Sequence, residues 1–462
     1  MSTNAQGAAA RSVPEERWLQ VILVAFVMYT IAFIDRTNIS VALSSISRDL
    51  HMDPAQAGSA AGVFFWGYLV LQIPGGYFAR RWSAKWFIAI LLVAWGACSV
   101  ATGLVQTGHQ FWIMRLLLGV TEGGVWPAVL VLLANWFPRD ERARANGFWM
   151  LCLPLAVVLA SPLSGWILGH WNWRVLLISE GSFPFVWLAV WLWRIHDHPH
   201  QARWISAAER EHLERTLERE AAEIERAEAA ERALRHNSPD PLNARLAEPQ
   251  SAEPPLGRAL LGPQVLLMCG VYFLLNTGNY GYLFWLPTAM EKAQHLSHLL
   301  VGWLFAVPYF ITGIGMVLIS KHSDRHRERR LHVALPLATA GLVLLAGVLT
   351  DRYSAALSFP LIAVIGAGSY GALGPFWAIP TETLPRRVAG PAMGMVNALG
   401  NLGGYFGPLL VGSISKHTGS LMLAFSLLAA SLIAGGALGL LLPKGRNRRP
   451  ETPSGVECAV RT

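Results

Sequence analysis

Between residues 18 and 442 the sequence is a succession of apolar runs, each of about 20 residues or more, which is the length a helix needs to cross a bilayer core roughly 30 Å thick. In hydrocarbon every backbone N–H and C=O must be satisfied within the chain, so runs of this kind can be accommodated only as helices. They fall near 18–45, 55–79, 84–105, 110–134, 143–168 and 173–194, and again near 259–289, 298–320, 331–350, 354–380, 390–413 and 419–442. Hydrophobic residues make up 53% of the chain and charged residues 14%, well outside soluble globular composition. The expectation is an all-α integral membrane protein of twelve transmembrane helices. The apolar run after Trp18 is too long for a cleaved signal peptide and its polar forerunner has no matching h-region. The first span should therefore stay in the membrane.

Positive charge is distributed by topology. Alternate connectors hold Arg11 and Arg17, Arg80, Arg81 and Lys85, Arg139, Arg142 and Arg144, the run Lys321 to Arg330, Arg386 and Arg387, and a basic C-terminal tail; the opposite connectors hold only Arg48, Arg174, Lys292, Arg352 and Lys416. The positive-inside rule then places both termini and the long central loop in the cytoplasm. The net charge of +8 is explained by these scattered loops, and no single basic patch points to nucleic acid. Of the four cysteines, Cys98, Cys152 and Cys269 lie in apolar spans and Cys458 in the tail. Their spacing suits neither a disulfide framework nor a metal site, so free thiols, no metal and no cofactor are expected.

The resulting organisation is a cytoplasmic N-terminus (1–17), a first half of six helices (18–194), a central loop (195–258), a second half (259–442) and a cytoplasmic tail (443–462). In the loop, Ser206-x-x-Glu209 is a capping box, and Glu211/Arg215, Glu228/Arg232 and Glu231/Arg235 pair at i,i+4. An exposed, charge-laced helix should run to about Leu234, followed by a disordered linker from Ser238 through Pro255. The two halves repeat one another. Pro138-Arg139 with Ala145 and Gly147 corresponds to Pro385-Arg386 with Ala392 and Gly394, and Pro162 to Pro408, all at nearly one offset. Duplicated six-helix halves in parallel orientation place a site between them near the midplane, open alternately to each side.

Degenerate copies of a Gly-x-x-x-Asp-Arg-x-x-x-Arg loop signature, with twelve spans in duplicated halves, resemble the major facilitator superfamily. Four stretches are similar to its anion:cation symporters: Ile34-Asp-Arg-Thr-Asn-Ile-Ser40, Gly67-Tyr-Leu-Val-Leu-Gln-Ile-Pro-Gly75, Arg115-Leu-Leu-Leu-Gly-Val-Thr-Glu-Gly123 and His198-Pro-His-Gln-Ala-Arg-Trp-Ile205. The resemblance implies a bacterial inner-membrane transporter of carboxylate-bearing organic acids, driven by protons, and not an enzyme.

The residues that carry this chemistry are charges at bilayer depth, each of which costs about 2.5–3.5 kcal/mol on insertion scales and so marks function by default. Asp35 and Arg36 are adjacent in the first span. Arg115 and Glu122, seven apart on the fourth, share a helix face about 10 Å apart along the axis and are expected to look into the same cavity. Guanidinium is the natural bidentate partner of a carboxylate, so Arg36 is the expected anion site, with Arg115 either assisting it or partnering Glu122. Asp35 and Glu122 are the expected proton carriers, because burial disfavours an ionised carboxyl and so permits reversible protonation. Tyr68, Asn276, Tyr280, Asn397, Asn401, Ser369 and Trp377 are the expected polar and aromatic contributors; the last two lie in a Gly- and Pro-broken tenth span. Asp324 and Arg325 form the gating loop, and Glu180 is read as a structural partner.

Two positions depart from the family pattern. Arg80 stands where the first loop signature usually has aspartate, and Phe33 where a tyrosine is common, which makes the cavity less polar. The reading is a monomeric secondary active transporter that couples a small organic anion, a sugar acid or related carboxylate, to protons by alternating access. The alternatives are an aromatic carboxylate symporter and an organic anion or organophosphate exchanger.

Overall fold

The computed structural model describes residues 16–236, 256–294, 297–349 and 355–443. The described residues are helical rods joined by short connectors, and each rod falls where an apolar run lies in the sequence. In the first half they are Trp18–Ile22 with Leu23–Thr37 and Ile39–Asp49; Pro54–Gly62 with Phe64–Val70 and Gln72–Arg81; Ala84–Thr102; Gly108–Gly123 with Val125–Trp136; Arg139–Met150 with Cys152–His170; and Trp173–Gly181 with Phe183–Arg194. In the second half they are Pro263–Gln294; His298–His326; Arg330–Leu349; Ala355–Gly371 with Leu373–Thr383; Arg386–Asn401 with Gly403–Thr418; and Leu421–Gly439. Among the described residues nine of these rods are long and apolar enough to cross a membrane, and a tenth if the bent pair Pro54–Val70 and Gln72–Arg81 is one span. The remaining two, the seventh and eleventh, are the rods that carry Asn276, Asn279, Asn397 and Asn401 into the interior, which lowers their mean hydropathy.

Four of the breaks inside spans have one cause. Proline lacks the N–H that would bond the carbonyl four residues earlier, and helices end at Val70, Gly123, Met150 and Gly371, each four residues before Pro74, Pro127, Pro154 or Pro375. The second span bends by 41° at its break. One freed carbonyl, Gly123 O, accepts the Gln72 side-chain amide at 2.9 Å. Polar caps set several helix starts: Ser83, Thr107, Asn172, Ser297 and Ser420 accept from backbone N–H groups, and Asp53 forms a full capping box with Gln56.

The halves meet through backbone contacts that only glycine allows. A Cβ on Gly58 would stand 2.3 Å from Pro408 O, on Gly412 2.1 Å from Pro54 O, and on Gly302 2.3 Å from Ser161 O. The second span is thereby pressed against the eleventh and the fifth against the eighth, all toward the end of the bundle that carries residues 50–53. At that same end Lys416 pairs with Asp53 at 3.0 Å, and Ser44 Oγ donates to Glu291 Oε2 at 2.5 Å.

The central helix is Ala207–His236. Ser206 Oγ accepts from Glu209 N at 3.2 Å as the capping pattern requires, and Arg215 pairs with Glu211; the side chains of the other two pairs, and the segment from Ser238 to Pro255, lie outside the described residues. The helix is not exposed throughout. Glu209 is buried and accepts from Arg17 at 2.5 Å, while Arg17 also reaches Glu141 at 2.7 Å. Glu220 approaches Arg142 at 3.6 Å. The first turns of this helix are thus docked on the first half.

Candidate functional site

A cavity lies where the two halves meet. The first half contributes Tyr29, Phe33, Arg36, Tyr68 and Trp126 to its wall; the second contributes Tyr272, Asn276, Asn279, Tyr280, Ser369, Tyr370, Trp377, Asn397 and Asn401. Arg36 is the one charged residue among the described residues that line it. Its guanidinium is 4% exposed and is caged by aromatic faces, with Tyr68 at 4.8 Å, Phe64 at 4.9 Å and Phe33 at 5.5 Å from its carbon. Nη2 donates to Glu122 Oε2 at 3.1 Å. Arg36 Nε and Glu122 Oε1 have no hydrogen-bond partner. The pair is therefore only partly satisfied on each side, which is costly in a buried site.

Asp35 and Arg115 do not line this cavity. Neighbours on a helix are turned about 100° apart, and while Arg36 faces the centre, Asp35 faces into the first half. There it accepts from Trp95 Nε1 at 2.5 Å and Ser99 Oγ at 3.1 Å. A second, smaller cavity is lined by Asp35, Ser99, Thr102, Phe111 and Arg115. Arg115 Nη1 lies 3.5 Å from the Asp35 carbonyl, while its Nε and Nη2 have no partner. The expectation that all four charges look into one cavity is corrected: they form two sites, Arg36 with Glu122 and Asp35 with Arg115, separated by Phe64, whose ring lies 4.9 Å from one guanidinium and 5.3 Å from the other. Arg115 reaches the Asp35 backbone carbonyl and does not line the central cavity.

The polar residues expected in the second half are brought together. Asn276 Nδ2 donates to Gly400 O at 3.1 Å, a bond that ties the seventh span to the break in the eleventh. Asn401 Nδ2 donates to Asn397 Oδ1 at 2.9 Å, and Asn397 Nδ2 to Gln72 Oε1 at 2.7 Å. Gln72 thus links Asn397 in one half to Gly123 O in the other. Tyr280 packs on Phe65 at 4.5 Å between ring centroids, and Trp377 meets Tyr272 edge-on at 5.1 Å. Ser369 Oγ is fully buried and has no hydrogen-bond partner. Tyr68 O–H lies 3.4 Å from that of Tyr29.

Glu180 lies off the cavity, buried, and accepts from Asn38 Nδ2 at 3.0 Å and Ser164 Oγ at 2.8 Å. In the loop expected to gate, Asp324 pairs with Arg329, not with the exposed Arg325 beside it, and Arg329 continues to Glu382 at 2.8 Å. Sequence reasoning passed over Gln72, Phe64, Tyr272 and Asn279. Asn279 carried a usable signal, since it stands at i+3 from Asn276 and hence on the same face; Gln72 lay inside a motif stretch beside Pro74. Nothing local marked Phe64 or Tyr272 among the many aromatics.

Comparison with known proteins agrees with this architecture. The family model described as Major Facilitator Superfamily matches residues 25–408. A putative tartrate transporter of Agrobacterium vitis is 31% identical over 93% of this chain and 91% of its own length. A putative metabolite transport protein, NicT, of Pseudomonas putida is 29% identical over 92% of this chain and 93% of its own. The probable galactarate/D-glucarate transporter GudP of Escherichia coli is 27% identical over 91% and 92%. Among solved structures, a bacterial homolog of the human lysosomal transporter Spinster, in an inward-facing and unoccupied conformation, superposes with a TM-score of 0.67 at 16% identity, covering 93% of this chain and 96% of that one. These relatives are transporters. The duplicated helical frame, the cavity between its halves and the match over nearly the whole length have one consequence: the chain is a multi-pass membrane transporter of the major facilitator superfamily, of its anion:cation symporter type.

Proposed function

We propose that the protein is a proton-coupled symporter that takes up a small organic anion across the bacterial inner membrane by alternating access, with both termini in the cytoplasm. The observation that carries the reading is the 3.1 Å bond between Glu122 and Arg36, the one charged residue described on the cavity wall. A substrate carboxylate and the Glu122 carboxylate are competitors for one guanidinium. Protonation of Glu122 removes its charge and releases Arg36 to the substrate; departure of the substrate lets Glu122 ionise and pair again. Asp35, in its own small cavity with Arg115, is the second proton carrier, and Arg115 tunes it. Amides and hydroxyls of Asn276, Asn279, Ser369, Asn397 and Asn401 supply hydrogen bonds to the rest of the solute. The relatives named for tartrate and for galactarate and D-glucarate support an organic acid as cargo.

The halves 18–194 and 259–442 rock as units, with the central segment as their tether. Glycine contacts and the Asp53–Lys416 pair join them at the end carrying residues 50–53, which is the external end in this topology, so the conformation is closed outward. The cycle needs no cofactor, works in a monomer and draws on the proton gradient. Uptake into proteoliposomes under an imposed inward proton gradient tests it. Accumulation that collapses with a protonophore supports symport, whereas accumulation that a protonophore leaves intact replaces it by anion exchange.

A further inference from the structure

Granting that the central cavity binds an organic anion on Arg36, its walls say which kind. The wall carries a single cation, and that cation sits at one end, on the first span. No described lining residue in the second half is charged. A ligand with one carboxylate can place it on Arg36 and bury the remainder among neutral groups. A ligand with two must bury the second without a counter-charge, which is costly in a low-dielectric site even when hydrogen bonds are available.

The remainder of the wall is shaped for a ring. On the first-half side Tyr29 and Trp126 pack edge to face at 5.5 Å between centroids. Facing them on the second-half side, Tyr272 stacks on Phe376 at 5.4 Å and meets Trp377 at 5.1 Å. Each of these rings is held by another ring behind or beside it, so the two aromatic walls are rigid and present π faces or edges at fixed positions, which is how flat ligands are held at low entropic cost. Phe33, in place of a hydroxylated ring, adds apolar surface beside Arg36. The polar contribution of the second half comes from neutral amides and hydroxyls. Ser369 Oγ is buried, lines the cavity and is without a partner, and several of the amides are already engaged with each other or with backbone, as Asn276, Asn397 and Asn401 are. An open-chain polyol needs a partner for every hydroxyl. A ring with one or two polar atoms needs only what Ser369 and Asn279 can give.

We infer that the preferred substrate is a monocarboxylate carrying a flat ring, its acid on Arg36 and its ring between Trp126 and the Tyr272–Trp377 wall, and that diacids are discriminated against by the absence of a second cation. The test uses the purified full chain, with binding by calorimetry and counterflow in proteoliposomes, across benzoate, pyridine-3-carboxylate, cyclohexanecarboxylate, gluconate, tartrate and phthalate. The two aromatic monoacids should bind about tenfold more tightly than gluconate or cyclohexanecarboxylate, from ring contacts, and roughly a hundredfold more tightly than tartrate or phthalate, from the unpaired charge. Trp377→Leu should lower affinity for benzoate about tenfold and erase its advantage over cyclohexanecarboxylate. Tartrate or phthalate bound as tightly as benzoate overturns the single-charge argument, and gluconate bound as tightly overturns the ring. If none of the six binds, the organic anion reading itself fails, a result distinct from a wrong ranking among acids that do bind.

Discussion

Glu122 accepts from Arg36 at 3.1 Å across the first and fourth spans, and both side chains are nearly sealed from solvent, Glu122 at 1% and Arg36 at 4% exposure. An ion pair so placed is worth little to stability when compared with well-packed apolar residues, yet breaking it leaves a buried charge unmatched. A solute carboxylate can therefore take the place of Glu122 on Arg36 without stranding a buried charge only if Glu122 takes up a proton.

Replacing Glu122 by Gln separates binding from coupling. Glu122→Gln should retain counterflow of substrate while losing accumulation driven by a pH gradient, since the amide cannot carry a proton through the cycle. Arg36→Lys keeps the charge and loses the planar fork, and should weaken substrate binding by about 10- to 100-fold. Paired measurements of counterflow and gradient-driven uptake check both; normal accumulation in Glu122→Gln would sink the proposed exchange of partners.

Asp35 acts away from the cavity, held by Trp95 and Ser99. Asp35→Asn should therefore leave the substrate dissociation constant unchanged while abolishing proton-driven accumulation. A loss of binding equal to that of Arg36→Lys would instead put Asp35 in the anion site.

Gln72 joins the halves through Asn397 at 2.7 Å and the Gly123 carbonyl at 2.9 Å. Removing the first bond with Asn397→Ala should cost this conformation about 1 kcal/mol, which moves the balance between inward- and outward-open states by roughly fivefold. Spin-label distances between the second and eleventh spans, measured with and without substrate, report it.

The contact at the other end is steric as well as ionic. Gly58→Val places side-chain atoms where Pro408 O already stands 2.3 Å from a Cβ position, so the halves cannot close there. Transport should be lost, and cysteines introduced near residue 58 should become permanently accessible to external reagents. Asp53 beside it is held below the usual carboxylate range by the Gln56 backbone N–H and by Lys416. A depressed pKa contributes closure that is fully present above the ordinary value and is lost only as pH falls through the lowered one. Between about pH 5 and 8 Asp53 stays ionised, so Asp53→Asn should loosen closure without changing the shape of the pH profile of transport.

Glu180 serves the packing of the first, fifth and sixth spans. Glu180→Ala strands Asn38 Nδ2 and Ser164 Oγ and should lower stability by about 2–4 kcal/mol, read as a drop in unfolding temperature in detergent, with the affinity of the folded fraction unchanged.

Apolar runs long enough to span a bilayer admit no fold but helices, so the frame of the molecule follows from the sequence for a solvent reason. The prolines at 74, 127, 154 and 375 likewise announce where helices must break, because a missing N–H is a covalent fact. The charges stood out for the same reason, as hydrocarbon penalises them wherever they stand. Which way they face was not legible. Asp35 and Arg36 are consecutive, and only the tertiary packing of the first span turns one toward Trp95 and Ser99 and the other toward the centre. Arg115 and Glu122 share a helix face, yet their separation along the axis delivers them to different partners, with Phe64 between. Gln72 gained its place from a carbonyl freed by a proline on another helix. Contacts between residues far apart in the chain depend on rotation and depth of whole helices, which the tertiary packing alone decides.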